Sequence, residues 1–377
     1  MALFCDLHSA RIYDRGGERL IGSLGNLSRV KWERLRDDIS QATVYIAARS
    51  VDCDTTLGLS AAGRHELVIF RGNERVWEGP ITHIAYTRNS VELTARDVGH
   101  YPYRAFMTQE YDNTYPNIGT VTSRMKRILE TEMVRFEAQD PPINFLPHLV
   151  VHEDPDNAGT SAHTLPYEMT VYEHLDNFAA RGGLDYTCVG RSMHLWDVHK
   201  QKMGKTAPIT EEDFIGEVVI TEYGMELATV SAITDGKGRA GVAGEADPYY
   251  GLVEILDTAY DEATGDEWDT ADGVPGEPEP PSIAEMKSQA QRVLAGRNPT
   301  PIVVRVPDNS TLNPLGVLTI ADLIPGVMIP LQANLPGRAL SQLQKLDRVT
   351  VEETGEGETI QVVLSPAPVE GSNEEDT

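Results

Sequence analysis

The chain has 377 residues, with 58 Asp and Glu against 32 Lys and Arg and a formal net charge of −26. Its 40% hydrophobic content can fill a core in each of two or three domains, which excludes global disorder. So large a negative excess repels phosphate, which excludes tight nucleic-acid binding through a general basic surface but not the passage of DNA past the chain.

No stretch approaches the roughly 20 apolar residues that span a bilayer. The amino terminus, MALFCDLHSARIYD, places an acid and a His where a signal peptide needs an apolar run, so export by that route is not expected. Cys5, Cys53 and Cys188 are too few and too scattered for a disulfide framework or a zinc knuckle. They are expected to be small buried hydrophobes in a protein folded in a reducing cytoplasm.

The first hundred residues read as antiparallel β structure. Ala10–Tyr13 and Arg19–Ile21 flank Asp14-Arg15-Gly16-Gly17 as a hairpin, and Thr43–Ala47 is a further strand. Residues 66–97 predict a meander of about four strands: Glu66–Arg71, Glu74–Glu78, Ile81–Thr87 and Val91–Asp97. Reversals are expected at Gly72-Asn73, Gly79-Pro80 and Arg88-Asn89-Ser90. Turns at such regular spacing suggest a small barrel or sandwich.

From about 100 to 200 the pattern becomes mixed α and β. Val121, Met125, Ile128, Leu129 and Met133 recur at helical spacing over Thr120–Phe136. Thr170-Val171-Tyr172-Glu173 is a capping box opening a second helix, which Gly182-Gly183 is placed to end. A hairpin follows, Leu184–Val189 and Ser192–Trp196, turning at Gly190-Arg191. Beyond 205 the chain returns to β structure at Gly216–Thr221, Ala228–Ile233 and Gly251–Leu256, with Gly236–Gly241 as a loop. Asp257–Pro281 has little to bury and reads as a solvated acidic loop. A second capping box, Ser282-Ile283-Ala284-Glu285, opens a third helix that Gly296 closes. Strands are expected at Pro301–Val306, Gly326–Leu331, Asp347–Glu352 and Thr359–Leu364, the last two joined by a turn at Gly355-Glu356-Gly357. Residues 370–377 read as an acidic tail.

Catalytic signatures are sparse. His148 and His152 have the spacing of a zinc helix, with His163, Glu153, Asp154 and Asp156 nearby. However, Pro147 and the run Leu149-Val150-Val151 predict an extended chain, which puts the two rings about 13 Å apart. Gly236–Gly241 lacks the order of a phosphate-binding loop, and no G-x-S-x-G elbow occurs. Residues 245–285 carry thirteen acids and no Lys or Arg, without the order of a calcium loop. Catalytic, cofactor and metal residues are therefore each assigned as none, and no cofactor is expected. Trp77 and Trp196, each ending a hairpin strand, are read as core or interface anchors.

Three runs carry a resemblance: Trp32–Ser40, His65–Ile81 and Leu93–Asp97, with later agreement over 170–196, Asp213-Phe214-Ile215-Gly216 and Asp322–Gly326. Together they resemble the baseplate hub, or tail-associated, minor tail proteins of long-tailed phages infecting actinobacteria. The resemblance implies a non-enzymatic virion protein at the tail tip, mainly β with an α+β insertion. Two small β-barrel-like domains would surround a tail-tube channel, and a homotrimer would present six barrels to the tail tube or distal tail protein. Its further partners would be the tape-measure protein, other tip proteins and, transiently, DNA. The implied division is 1–100 as a first barrel, with strands at 206–235 as candidates to complete it, and 101–205 as the insertion. A second barrel would cover 206–368, including the loop 257–281 and the helix 282–296, before the tail 369–377. Two alternatives stay open: a tail-tip cell-wall hydrolase, and a host glycan- or receptor-binding protein. For the last, Tyr101, Tyr103, Tyr111 and Tyr115 are the residues to examine, although subunit contacts are the better expectation for them.

The acidity is unevenly placed. Residues 245–285 and 370–377 contribute seventeen negatives, and the other 328 residues carry a net −9. A channel-lining role must rest on that remainder or on where the long acidic loop points.

Overall fold

The computed structural model describes residues 4–47, 51–111, 120–152, 164–180, 184–197, 208–215, 219–236, 238–258, 283–295, 297, 302–305, 311–313 and 318–366. Two compact units are present: residues 1–218 with 306–364, and residues 219–305 with 365–377.

The first unit is dominated by one large sheet. Its strands are β1 (His8–Asp14), β2 (Leu20–Leu24), β3 (Leu27–Leu35), β4 (Gln41–Ile46), β5 (His65–Arg71), β6 (Glu74–Tyr86) and β7 (Val91–Arg96). A helix, α1 (Val51–Leu59), connects β4 to β5, and one helical turn, α2 (His100–Tyr103), follows β7. An α+β lobe comes next, built from α3 (Val121–Glu137), β8 (Leu149–Val151), α4 (Val171–Ala180), β9 (Asp185–Val189) and β10 (Ser192–Trp196). The short strands β11 (Ile209–Thr210) and β12 (Phe214–Ile215) precede the second unit. That unit holds β13 (Val219–Glu222), β14 (Val230–Thr234), β15 (Ala240–Gly244), β16 (Glu254–Thr258), α5 (Ile283–Ala295) and β17 (Ile302–Arg305). The chain then returns to the first unit with β18 (Thr311–Leu312), β19 (Met328–Leu335), β20 (Arg338–Thr354) and β21 (Gly357–Pro366).

The large sheet runs β11-β19-β20-β3-β4-β7-β6-β5-β1-β2, with β21 also paired to β20. Thus the C-terminal hairpin joins the same sheet as the N-terminal strands, through Arg348–Thr354 of β20 against Arg29–Leu35 of β3. The expectation of two barrel-like domains is corrected here: none of the described sheets closes on itself by backbone pairing. Side chains bridge where the ladder stops. Glu353 of β20 accepts the backbone N–H groups of Asp6, Leu7 and His8 at 2.8, 2.9 and 2.8 Å. Arg71 of β5 reaches Glu358 of β21 with two bonds of 2.8 Å.

Gly79-Pro80 does not reverse the chain. It lies inside the continuous strand β6, whose first half pairs β5 and whose second half pairs β7. A Cβ at Gly79 would lie 1.9 Å from the Arg96 carbonyl, so only glycine allows this crossover. Strand β3 and helix α1 were not predicted. In β3, Val30 and Trp32 point inward as an alternating strand requires, but the next inward position is the cation Arg34, which breaks the apolar pattern.

The α+β lobe follows its sequence closely. The Thr120 hydroxyl accepts the Ser123 N–H and starts α3, which buries Met125, Ile128, Leu129 and Met133. The capping box of α4 is formed, with Thr170 N–H to Glu173 at 2.7 Å and Glu173 N–H to the Thr170 hydroxyl at 3.1 Å. Both helices share one core with Leu184 and with Tyr186, Met193 and Leu195 of the three-stranded sheet β8-β10-β9. The glycines 182–183 expected to end α4 lie outside the described residues.

In the second unit, β14 pairs antiparallel with β15 and parallel with β16, and α5 packs through Met286 and Ala290 on Ile233 and Ala243. Gly241 lets that helix come close, since a Cβ there would lie 2.2 Å from the Lys287 nitrogen. β13 pairs separately with β17. Residues 259–282, 296 and 367–377, where the acidic loop, the helix-closing glycine and the acidic tail are expected, lie outside the described residues.

Candidate functional site

The most organised polar cluster lies where the α+β lobe meets the large sheet. Arg191, in the β9–β10 turn, reaches Glu66 of β5 at 2.6 Å and Glu78 of β6 at 3.0 Å. Both carboxylates are fully buried, and the Arg191 side chain is 6% exposed. The same guanidinium donates to the carbonyls of Asn144, at 3.1 Å, and Ile143. Glu66 also accepts the Gly16 N–H at 2.9 Å and the Tyr101 hydroxyl, while Arg75 bonds Glu78 at 3.0 Å. Gly17 is required beside this knot: its φ is +72°, and a Cβ would lie 2.8 Å from the Arg191 guanidinium. Burial works against the Arg191 charge, but Glu66 and Glu78 outweigh it and raise its pKa further. Burial and the Glu66 charge together hold the Tyr101 hydroxyl far above its ordinary value.

A second knot ties the same two parts together. Lys345 of β20 forms a buried ion pair with Asp185 of β9, and Arg36 reaches Asp347 at 2.9 Å and Asp185 at 3.4 Å. Asp37 donates its N–H to the Tyr186 carbonyl and accepts the Tyr186 N–H, both at 2.9 Å. Burial and the Asp185 charge push Asp37 from 3.8 up to about 7, with Arg36 and Lys345 opposing. The folded protein therefore holds an extra proton between those two values, and the stability it brings is lost as pH rises through about 7. Asp37 sits at φ +56°, a conformation that asparagine tolerates equally. Asp37→Asn is expected to raise stability above pH 7 by roughly 1–2 kcal/mol, allowing for partial solvent screening, and to change little below about pH 4. Thermal melts at the two pH values check this.

Beside the first knot is a cleft of about 310 Å³ between the β1–β2 turn and the 140–144 loop. Several of its polar groups are engaged with one another: Arg64 pairs with Asp14 at 2.8 Å, Arg15 donates to the Pro141 carbonyl, and Asn144 donates to Glu18. The two carboxylates that could resemble an acid–base pair, Glu66 and Glu78, share one guanidinium and meet no solvent. That arrangement anchors structure; it does not present a reacting group to a substrate.

Other residues singled out by sequence are accounted for individually. Trp77 and Trp196 are buried; the Trp77 ring N–H bonds the Ser40 hydroxyl at 3.1 Å, and that hydroxyl bonds Asp97 at 2.6 Å. Burial lifts Asp97 to about 6. Trp77 sits within β6, not at its end, and Trp196 packs against Gly326. Tyr101 and Tyr111 are core residues whose hydroxyls bond Glu66 and Glu132, which corrects their reading as subunit contacts. Tyr103 is half exposed, and Tyr115 lies outside the described residues. His148 ends a short 3-10 turn, and the His152 ring, just past the extended β8, leans on Trp196. His163 lies outside the described residues, and among the described residues no cluster of three or more His, Cys, Asp or Glu is placed to hold a metal. Cys188 is buried as expected; Cys5 is only partly so, and its thiol donates to the Glu353 carbonyl at 3.4 Å. No described helix is long and apolar enough to cross a membrane.

No protein-family model matches the chain, and no curated protein sequence matches it. Solved structures do match along its length. A tail protein from Neisseria meningitidis MC58 aligns over 95% of this chain and 96% of its own, with a TM-score of 0.57 and 12% identity. The 43 kDa tail protein of prophage MuSo2 from Shewanella oneidensis aligns over 96% and 98%, at 0.55 and 12% identity. A prophage tail protein from Listeria monocytogenes aligns over 98% and 95%, at 0.55 and 8% identity. At such low identity the likeness is one of fold, and end to end this chain has the fold of those three tail proteins.

Proposed function

We propose that the chain is a structural protein of a phage tail, the baseplate hub at the tail tip. The observation that carries this reading is the end-to-end likeness of fold to three tail proteins, with almost nothing left over on either side. In this reading three copies form a ring that joins the sixfold tail tube, or its distal ring, to threefold tip components. The tape-measure protein and other tip proteins would be its neighbours. The buried ion knots support a structural role over an enzymatic one, because they lock the lobe to the sheet and leave Glu66 and Glu78 without solvent access.

The net −9 carried outside residues 245–285 and 370–377 is what a channel wall that DNA slides past without adhering would draw on. Mass spectrometry of purified particles is expected to find the chain, and light scattering of the purified protein is expected to give three times its 41.5 kDa mass. Cryo-EM of the tail tip tests the channel: a neutral or basic wall, with the acids facing outward, would sink the sliding role. Absence of the chain from particles would overturn the whole reading.

A further inference from the structure

We propose that the Asp247–Gly251 turn of the second unit is a docking finger for a different protein, one that offers an apolar pocket rimmed by Lys and Arg. The inference rests on the chain being a tail component. The turn is stiff. Asp247 and Gly251 exchange two backbone hydrogen bonds, at 2.9 and 2.8 Å. The Asp247 carboxylate accepts the N–H groups of Tyr249 and Tyr250 at 2.7 and 2.8 Å, and Pro248 restricts φ between them. Gly251, at φ +75°, completes the reversal.

What this tied backbone displays is apolar. Tyr249 is 87% exposed, and its ring meets the Tyr250 ring edge to face at 4.9 Å. Leu252 follows, 61% exposed. Further apolar surface lies on the face of the β15-β14-β16 sheet opposite α5, where Val242, Ala232 and Leu256 stand in register across three strands. Tyrosines held on a fixed turn lose little freedom when they bind, which is the usual character of an interface anchor.

Charge selects the partner. Among the described residues 240–258, Glu245, Asp247, Glu254 and Asp257 are acidic and none is Lys or Arg. Nucleic acid, an anionic membrane or the same segment of a second copy would bring like charge to it. A protein with a basic rim around an apolar pocket matches both features.

The test places the photo-crosslinking residue p-benzoylphenylalanine at position 249 of the full chain, in assembled particles, and identifies products by mass spectrometry. The expected product joins position 249 to a different polypeptide, at a segment bearing Lys or Arg. A crosslink to another copy of this chain, to its own 259–282 segment, or to no polypeptide overturns the finger. If the chain is present in particles but gives no such product, only this inference fails; if the chain is absent, the tail reading fails with it. As a second measure, the Tyr249→Ala, Tyr250→Ala double variant should melt like the parent and enter particles at least about ten-fold less. Undiminished incorporation would also overturn the finger.

Discussion

Replacing Arg191 with methionine is expected to lower the unfolding free energy by about 3–5 kcal/mol, because it leaves two buried carboxylates without their shared cation. Glu66 would retain only the Gly16 N–H and the Tyr101 hydroxyl, and Glu78 only Arg75. The carbonyls of Ile143 and Asn144 would lose their donor as well. Arg191→Lys keeps the charge but not the fork that serves four partners at once, so a smaller loss is expected. Adding Glu78→Gln to Arg191→Met should recover part of the cost, because one of the stranded charges is then gone. Urea unfolding of the single and double variants measures both. A loss below about 1 kcal/mol for Arg191→Met would show that the knot does not hold the lobe. Hydrogen exchange adds the location: protection should fall first in β9, β10 and the 140–144 loop, while β3, β4 and β7 keep theirs.

Sequence made local structure legible and long-range pairing mostly not. The strands of residues 66–97 could be read because alternation and turn residues are properties of neighbours in the chain. The capping-box residues Thr170 and Glu173 lie three residues apart and carry their own signal. By contrast, β3 pairs with β20 across more than three hundred residues, and nothing local marks either as the partner of the other. Gly79-Pro80 misled for a physical reason: a pair that usually reverses a chain here lets one strand change partners.

The knots were illegible for another reason. A charged residue in a strand reads as solvent-facing, yet Arg34, Glu66, Glu78, Lys345 and Glu353 all point inward. Arg34 shows how such a position is largely satisfied: its two terminal nitrogens bond the carbonyls of Ile320, Leu323 and Val76 at 2.9 to 3.0 Å, and only Nε lacks a partner among the described residues. Those carbonyls come from two distant segments that only the finished fold brings together. Such ties resist separation of the elements they join. Each joins elements far apart in sequence, so loosening the lobe means exposing a charge pair as well as sliding an apolar surface.

Removing Glu353 is expected to do comparable damage at the other end of the sheet. Its carboxylate takes the N–H groups of Asp6, Leu7 and His8, and His8 Nδ1 lies 2.8 Å away. Trp32 donates to His8 Nε2 at 3.2 Å, which leaves the ring proton on Nδ1 facing the carboxylate. Glu353→Ala strands four donors in a site where the original side chain is 3% exposed. The cost should be about 3–5 kcal/mol, since each buried unmet donor costs roughly 1–3 and the losses are not additive. Glu353→Gln should rescue only part, because its amide N–H₂ would face the His8 donors. Glu358→Gln, which removes a pair with the partly exposed Arg71, should cost under about 1 kcal/mol.

The pH dependence carries a definite sign. Burial raises the Glu353 pKa, but the Leu7, His8 and Asp6 bonds outweigh it and hold the group below its ordinary 4.5. The unfolded chain then binds the proton more readily than the folded one, so the stability that Glu353 contributes is complete above about pH 4.5 and is lost as pH falls through the lower folded value. Parent and Glu353→Ala curves should therefore lie far apart at pH 7 and converge in acid. Parallel curves over that range would mean that the carboxylate is not what clasps the first strand to the last hairpin.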